Sequence, residues 1–250
     1  MNNMVHIPCG HFVRGSSLSE DEMPMYTIYM DSFDIDKYPV SNHEFNKFIL
    51  NDGYKKKNFW CELGWEFINK LKITSPAYWN NKNWNGPNQP VTGISWYEAR
   101  AFAHYSGKEL PTEAQWEYAA KGVDNNRMYP WGNDEPDLKR YANYAPECEP
   151  SELERASINN GTHSKNISYY GCIDMAGNLA EWCFDNYLPN YSWDTIKSNS
   201  VYIDYESDTF LTKGGSGLHD EFYMRCSSRD PYKGTVRDNI VGFRCVRNPL

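Results

Sequence analysis

The chain has 250 residues, enough for one domain with a sizeable core. Its 16% aromatic content, with 9 Trp and 19 Tyr, excludes a disordered or fibrous protein, because each large ring buries much apolar area. A formal charge of -8 opposes nonspecific association with nucleic acid or an anionic membrane, so neither is expected as a partner. No stretch has the apolar length of a leader or a membrane span, and the 7 cysteines, odd in number and without CxxC spacing, argue against a disulfide scaffold or a structural zinc site; a cytoplasmic location is expected.

In chain order, residues 5–16 read as a strand, a turn and a second strand, and 26–30 and 33–35 as two more. Ser41 followed by Glu44 is a capping box that opens a helix running to about Leu50. Residues 51–93 read as loop, rich in Asn, Gly and Pro, with Trp60, Trp65, Tyr78, Trp79 and Trp84 packing it down. Two main helices follow. Ser95 with Glu98 caps the first, which Gly107 stops, and Thr112 opens the second, which Gly122 ends, with Trp116 and Ala119 on its core face. Residues 123–170 lack periodicity. Strands are expected near 210–212 and across 242–246. No linker or repeat divides the chain, so residues 1–250 are expected to form a single domain.

Several segments then match one family in order. Asp36-Lys37-Tyr38-Pro39-Val40-Ser41-Asn42, Pro90-Val91 through Ser95-Trp96-Tyr97-Glu98-Ala99, and Leu110-Pro111-Thr112-Glu113-Ala114-Gln115-Trp116-Glu117-Tyr118-Ala119 resemble its N-terminal and central signatures. Tyr129-Pro130-Trp131-Gly132, Asp174-Met175-Ala176-Gly177-Asn178, Glu181-Trp182, Gly214-Gly215-Ser216 and Val241-Gly242-Phe243-Arg244-Cys245 complete the set. Together they resemble the formylglycine-generating-enzyme (sulfatase-modifying-factor) domain family. The resemblance implies a loop-rich α+β fold related to C-type lectins, with two main helices and small twisted sheets.

It also implies chemistry that this chain has altered. The namesake enzyme holds copper(I) with two cysteines after the Gly-Gly-Ser motif, and soft thiolates suit that ion. Here His219 stands at the first cysteine position and the second falls near Glu221, while Leu179-Ala180 replaces a neighbouring tryptophan. The resemblance would place any catalytic site at Ser216, His219 and Glu221, with Ser216 a hydrogen-bond donor and His219 a general base or, with Asp220 and Glu221, part of a transition-metal site. The bland alternative is a polar loop that replaced a lost site. His6, His11, His43, His104 and His163 match no ligand spacing.

Three further expectations come from the same resemblance. Asp174, Gly177, Leu179 and Glu181 match a family calcium loop built from two carboxylates and two carbonyls, as calcium prefers. The alternative is that Asp174 caps a turn and Glu181 pairs with an arginine. Cys226 and Cys245 match cysteines that form disulfides in secreted members, but their partner positions near Ala103 and Ala120 are not cysteine. Arg225, Arg229 and Arg244 either knit the C-terminal segment into the core or bind a substrate carboxylate.

The functional expectation is a diverged metal-dependent oxidoreductase or biosynthetic modifying enzyme, acting on a small-molecule or peptide substrate and not a true formylglycine generator. The alternative is a non-catalytic, lectin-like binding module.

Overall fold

A computed structural model describes residues 4–123, 126–133, 140–143, 158–189, 191 and 207–249. The chain begins with four short strands, β1 (Met4–Ile7), β2 (Gly10–Arg14), β3 (Tyr26–Met30) and β4 (Phe33–Asp36). Four helices follow: α1 (Asn42–Leu50), α2 (Glu62–Leu71), α3 (Trp96–Tyr105) and α4 (Glu113–Lys121). The C-terminal half holds β5 (Ala180–Asn186), β6 (Thr209–Lys213), β7 (Asp230–Lys233), β8 (Val241–Gly242) and β9 (Val246–Arg247). The architecture is the loop-rich α+β arrangement expected.

Three small sheets result. β2 pairs with β3; β1, β4 and β9 form an antiparallel sheet; and β7-β6-β5-β8 form a four-stranded sheet that is antiparallel except for the parallel β5–β8 pair. The last strands enter two different sheets, β9 beside β4 of the N-terminal part and β8 beside β5 of the C-terminal half. β7 carries Pro231, which has no N–H to donate, and it lies at a sheet edge where none is needed.

Local signals explain three of the helices. Ser41, Ser95 and Thr112 each accept the backbone N–H three residues on, and Glu44, Glu98 and Gln115 reach back to the cap, which satisfies amide donors that a helix start leaves open. The fourth helix corrects the loop expected across 51–93. α2 has no side-chain cap, and Gly64 in its first turn lowers its propensity. Packing overrides both: a Cβ on Gly64 would lie 3.0 Å from the Tyr97 Cβ, so glycine is what lets α2 close on α3. The expected strand across 242–246 is also corrected. It is two short strands that enter different sheets, with Phe243, Arg244 and Cys245 buried between them.

Two apolar clusters fill the interior. One joins Phe45, Phe48, Trp60, Phe102, Trp182 and Phe243; the other lies beneath β1–β4 and α4 and includes Phe12, Trp116, Tyr118 and Leu211. No helix among the described residues is long and apolar enough to cross a membrane. The described cysteines are free thiols, and Cys226 and Cys245 lie buried in these clusters.

Candidate functional site

The Gly214-Gly215-Ser216 turn leaves β6 with both glycines at positive φ, 86° and 63°. A Cβ on Gly214 would meet the Met175 carbonyl at 2.9 Å, so only glycine allows the turn to sit against the 174–181 loop. That loop clamps it from both sides. Gly177 N–H donates to the Gly214 carbonyl at 2.8 Å, and Gly217 N–H donates to the Asn178 carbonyl at 3.1 Å. The segment carrying His219 therefore starts from a fixed base.

His219 is oriented by this base. Its Nδ1 lies 3.0 Å from the Ser216 backbone N–H, which can only donate, so Nδ1 accepts. Burial pushes the imidazole below its ordinary value, opposed by Asp220, so the ring is neutral at pH 7 and its single proton sits on Nε2. That nitrogen lies 3.3 Å from the Tyr232 hydroxyl and 3.6 Å from Asp230 Oδ2. Tyr223 covers the ring, with centroids 4.8 Å apart.

Asp230 and Tyr232 are two residues apart on β7, so the period of two in a strand turns both to the face His219 occupies. Asp230 Oδ2 is buried with no hydrogen-bond partner among the described residues. Burial pushes this carboxyl up to about 6, against a hydrogen bond from Tyr232, and the same burial, with Asp230 beside it, raises the Tyr232 phenol. The three groups form a chain able to hold and move a proton near neutrality.

A stability consequence follows. A carboxyl with a folded pKa above its unfolded value of about 3.9 binds its proton more tightly in the folded state, so stability falls as pH rises from about 4 to about 6. Asp230→Asn removes that loss. It is expected to raise the melting midpoint above about pH 7 and to leave it nearly unchanged below about pH 4. Equal shifts at both pH values would show that Asp230 is not held protonated by burial.

The residues expected from the sequence occupy different places. Ser216 is fully buried; its backbone N–H orients His219 and its Oγ accepts from Leu218 N–H at 3.2 Å. Glu221 is exposed at the start of a 3-10 turn over Glu221–Met224, which Asp220 caps through Phe222 N–H. The groups that His219 meets are Asp230 and Tyr232, which sequence reasoning missed. The one available signal was the alternation Asp230-x-Tyr232, and it carries no information about which loop lies opposite.

The donor chemistry can be tested against the metals the resemblance implied. Copper(I) held by two thiolates does not fit: the only thiol in 214–226 is Cys226, which is fully buried and whose pKa burial pushes up to about 12, so it is protonated. A metal on His219 Nε2 does not fit either, because it needs the ring proton on Nδ1, where the Ser216 amide already donates. Among the described residues no group of three or more His, Cys, Asp or Glu gathers around a common point.

The 174–181 loop is different. Asp174, at φ 57°, accepts Gly161 N–H at 2.6 Å, and Glu181 holds Arg244 in a two-pronged pair at 2.7 Å while also accepting Trp116 Nε1–H at 2.8 Å. These are the roles of the alternative reading, a turn cap for Asp174 and an arginine pair for Glu181, and burial raises the Asp174 carboxyl against the Gly161 N–H and the charge of Arg244. As a buried carboxylate outside that ion pair, Asp174 is a hard oxygen donor of the kind calcium takes.

The other arginines are structural. Arg225 grips Glu22 at 2.6 and 3.0 Å, and Arg229 reaches Glu113 at 2.8 and 3.2 Å. Glu113 also binds Arg14 at 2.6 Å, and Glu117 lies between Lys121 and Lys213, 3.5 Å from each. The side chains of this network are almost wholly buried, and they tie β2, α4 and the 225–229 segment together.

Comparison with known proteins agrees with this architecture. The chain matches the sulfatase-modifying factor enzyme 1-like domain over residues 1–249. It is 33% identical to the formylglycine-generating enzyme of Thermomonospora curvata, across 99% of this chain and 94% of that one. It is 28% identical to the hercynine oxygenase of Mycobacterium tuberculosis, across 87% of this chain and 53% of that one. Among solved structures, PvdO from Pseudomonas aeruginosa shares the fold with a TM-score of 0.76 at 20% identity, covering 98% of this chain and 94% of that chain. With its motifs in order, its glycine turn clamped by the 174–181 loop and its whole length matched, the chain belongs to the sulfatase-modifying factor enzyme 1-like domain family.

Proposed function

We propose that this protein is a modifying enzyme of the family in which a proton-transfer centre, His219–Tyr232–Asp230, stands where relatives of the formylglycine-generating type use copper and thiolates. The observation that carries this reading is the fixed His219 tautomer: Nδ1 is held by a backbone amide, and Nε2–H is aimed at a phenol and a carboxyl whose pKa is near 6. A buried acid and a neutral imidazole in contact are suited to take a proton from one substrate atom and return it to another. The edge shared by His219 and Tyr232 is the surface such a substrate would touch.

The test compares wild type with His219→Gln on fractionated peptide and metabolite extracts, read by mass spectrometry. A species consumed by wild type, spared by His219→Gln and consumed far more slowly by Tyr232→Phe is the expected result. Identical profiles for wild type and His219→Gln would overturn the reading and favour a ligand-binding module. A Cys-x-Pro-x-Arg peptide is expected to stay unmodified even with copper supplied, and repeated turnover to the aldehyde would refute the loss of copper–thiolate chemistry.

The same reading includes a structural calcium ion at the 174–181 loop, held by Asp174, Glu181 and the carbonyls of Gly177 and Leu179. The support is the pair of buried carboxylates on this loop, hard oxygen donors of the kind calcium takes. Chelation is expected to lower the melting midpoint, because an ion that binds only the folded state stabilises it by mass action. Asp174→Asn should make the protein insensitive to chelator. An unchanged curve in wild type, with no calcium by elemental analysis, would count against the ion.

A further inference from the structure

With His219 taken as the proton-transfer residue of the site, we propose that Asn178 is its positioning residue, because Asn178 fixes the backbone amide that decides which ring nitrogen carries the proton. Tyr223 lies against the face of the His219 ring, with the two planes 33° apart, and meets either orientation of the ring alike. The Tyr232 hydroxyl can donate or accept. Asp230 Oδ2, at 3.6 Å, is too far to hold the ring. Of these groups and the Ser216 N–H, only the N–H is a donor without an acceptor, so it selects Nδ1 as the accepting atom and leaves the proton on Nε2.

Two consecutive residues place the Ser216 amide. Gly177 N–H holds the Gly214 carbonyl on one side of it, and the Asn178 carbonyl takes Gly217 N–H on the other. Asn178 in turn anchors that pair. It is 4% exposed and sits at φ 65°, a left-handed conformation that asparagine tolerates. Its side chain clips Ile158 as a neighbouring strand would: Oδ1 accepts Ile158 N–H at 2.9 Å, and Nδ2 donates to the Ile158 carbonyl at 3.1 Å. Oδ1 also accepts from Asn143 Nδ2 at 3.2 Å, and Asn178 N–H donates to the Asn143 carbonyl at 3.0 Å.

Residues 143, 158 and 217 thus meet on one asparagine. The approach is close, since a Cβ on Gly177 would lie 2.6 Å from the Asn143 carbonyl oxygen. A buried amide whose oxygen and nitrogen are both engaged has one orientation, because turning it would leave polar atoms unpaired away from water. The clip, the Gly177–Asn178 pair, the Ser216 amide and the His219 ring are therefore held one by the next.

The test reads the last of these hydrogen bonds directly. In isotope-labelled protein, scalar coupling between the Ser216 amide nitrogen and His219 Nδ1 reports the bond, and the His219 titration reports the ring's surroundings. His219→Gln assigns the ring signals, and calcium in excess keeps the 174–181 loop in one state throughout. Wild type should show the coupling and titrate below the ordinary histidine value of about 6.5. Asn178→Gly keeps the left-handed backbone and removes the clip. It should lose the coupling, raise the His219 titration towards about 6.5 and speed Ser216 amide exchange at least about tenfold. Asn178→Asp keeps the acceptor but not the Nδ2 donor. It should move the same readouts in the same direction by less, and it decides the matter if the glycine variant does not fold. Phe45→Leu, in the aromatic cluster of α1 and α3, should lower the melting midpoint and leave coupling and titration unchanged. The proposal is overturned if the folded Asn178 variants keep the wild-type coupling and titration, or if Phe45→Leu loses them too. Absence of the coupling in wild type would overturn it together with the fixed His219 tautomer.

Discussion

Glu113→Ala is expected to destabilise the protein by about 3–5 kcal/mol, the usual consequence of removing one partner from a buried ion pair. Glu113 is 2% exposed and serves Arg14, Arg229 and the Tyr191 hydroxyl together. Burial alone would raise its carboxyl, but Arg14, Arg229 and Lys213 outweigh burial and hold it far below the carboxylate range. Without it, two guanidinium groups remain in the interior with no carboxylate between them. Arg229→Met should be much milder, because Glu113 keeps Arg14 and Tyr191. A denaturant series on the two variants checks the ranking, and equal losses would mean that Arg14 and Tyr191 add nothing to what Arg229 gives Glu113.

The same carboxylate sets the acid limb of stability. A group whose folded pKa is depressed contributes stability that is present above its unfolded value of about 4.3 and is lost as pH falls towards the folded value. Glu117, held low by Lys213 and Lys121 against burial, acts in the same direction. Wild type should therefore lose stability steeply below about pH 4, and Glu113→Gln should start lower but lose less over that range. Parallel acid limbs in the two proteins would refute the assignment.

Phe45→Ala is the second large effect, also about 3–5 kcal/mol. Phe45 is fully buried on α1 and stacks on Phe102 of α3 at 5.3 Å between centroids. It meets Phe48 at 5.4 Å and both Trp79 and Phe243 at 6.4 Å. One ring thus joins α1, α3, the loop before α3 and the returning C-terminal segment. Truncation loses the transfer energy of the ring and leaves a void that four rigid aromatic neighbours cannot close. Phe45→Leu should recover more than half of the loss, since it refills most of the volume. The measurement is equilibrium unfolding. A loss under about 1 kcal/mol for Phe45→Ala would mean that the cluster collapses freely around the gap.

The sequence by itself determined the family, the α+β class and the starts of α1, α3 and α4. Those features are written in neighbours: a cap and its partner three residues later form the same hydrogen bonds wherever the helix packs. It also put His219 at the altered position, because a side chain replaced inside an ordered motif is visible without coordinates. Only the tertiary structure decided what His219 does. Its partners are chosen by the pairing of β7 with β6, where Thr212 faces Asp230 and Phe210 faces Tyr232, and strand register is a long-range property. α2 was hidden for a related reason, since its glycine reads as a helix weakener until Tyr97 is seen against it. The buried ion network was equally invisible, because Gly15 and Glu117, or Arg225 and Glu22, meet only when distant parts of the chain close on one core. Burial then turns ordinary surface residue types into a charged interior, and no local pattern records that burial.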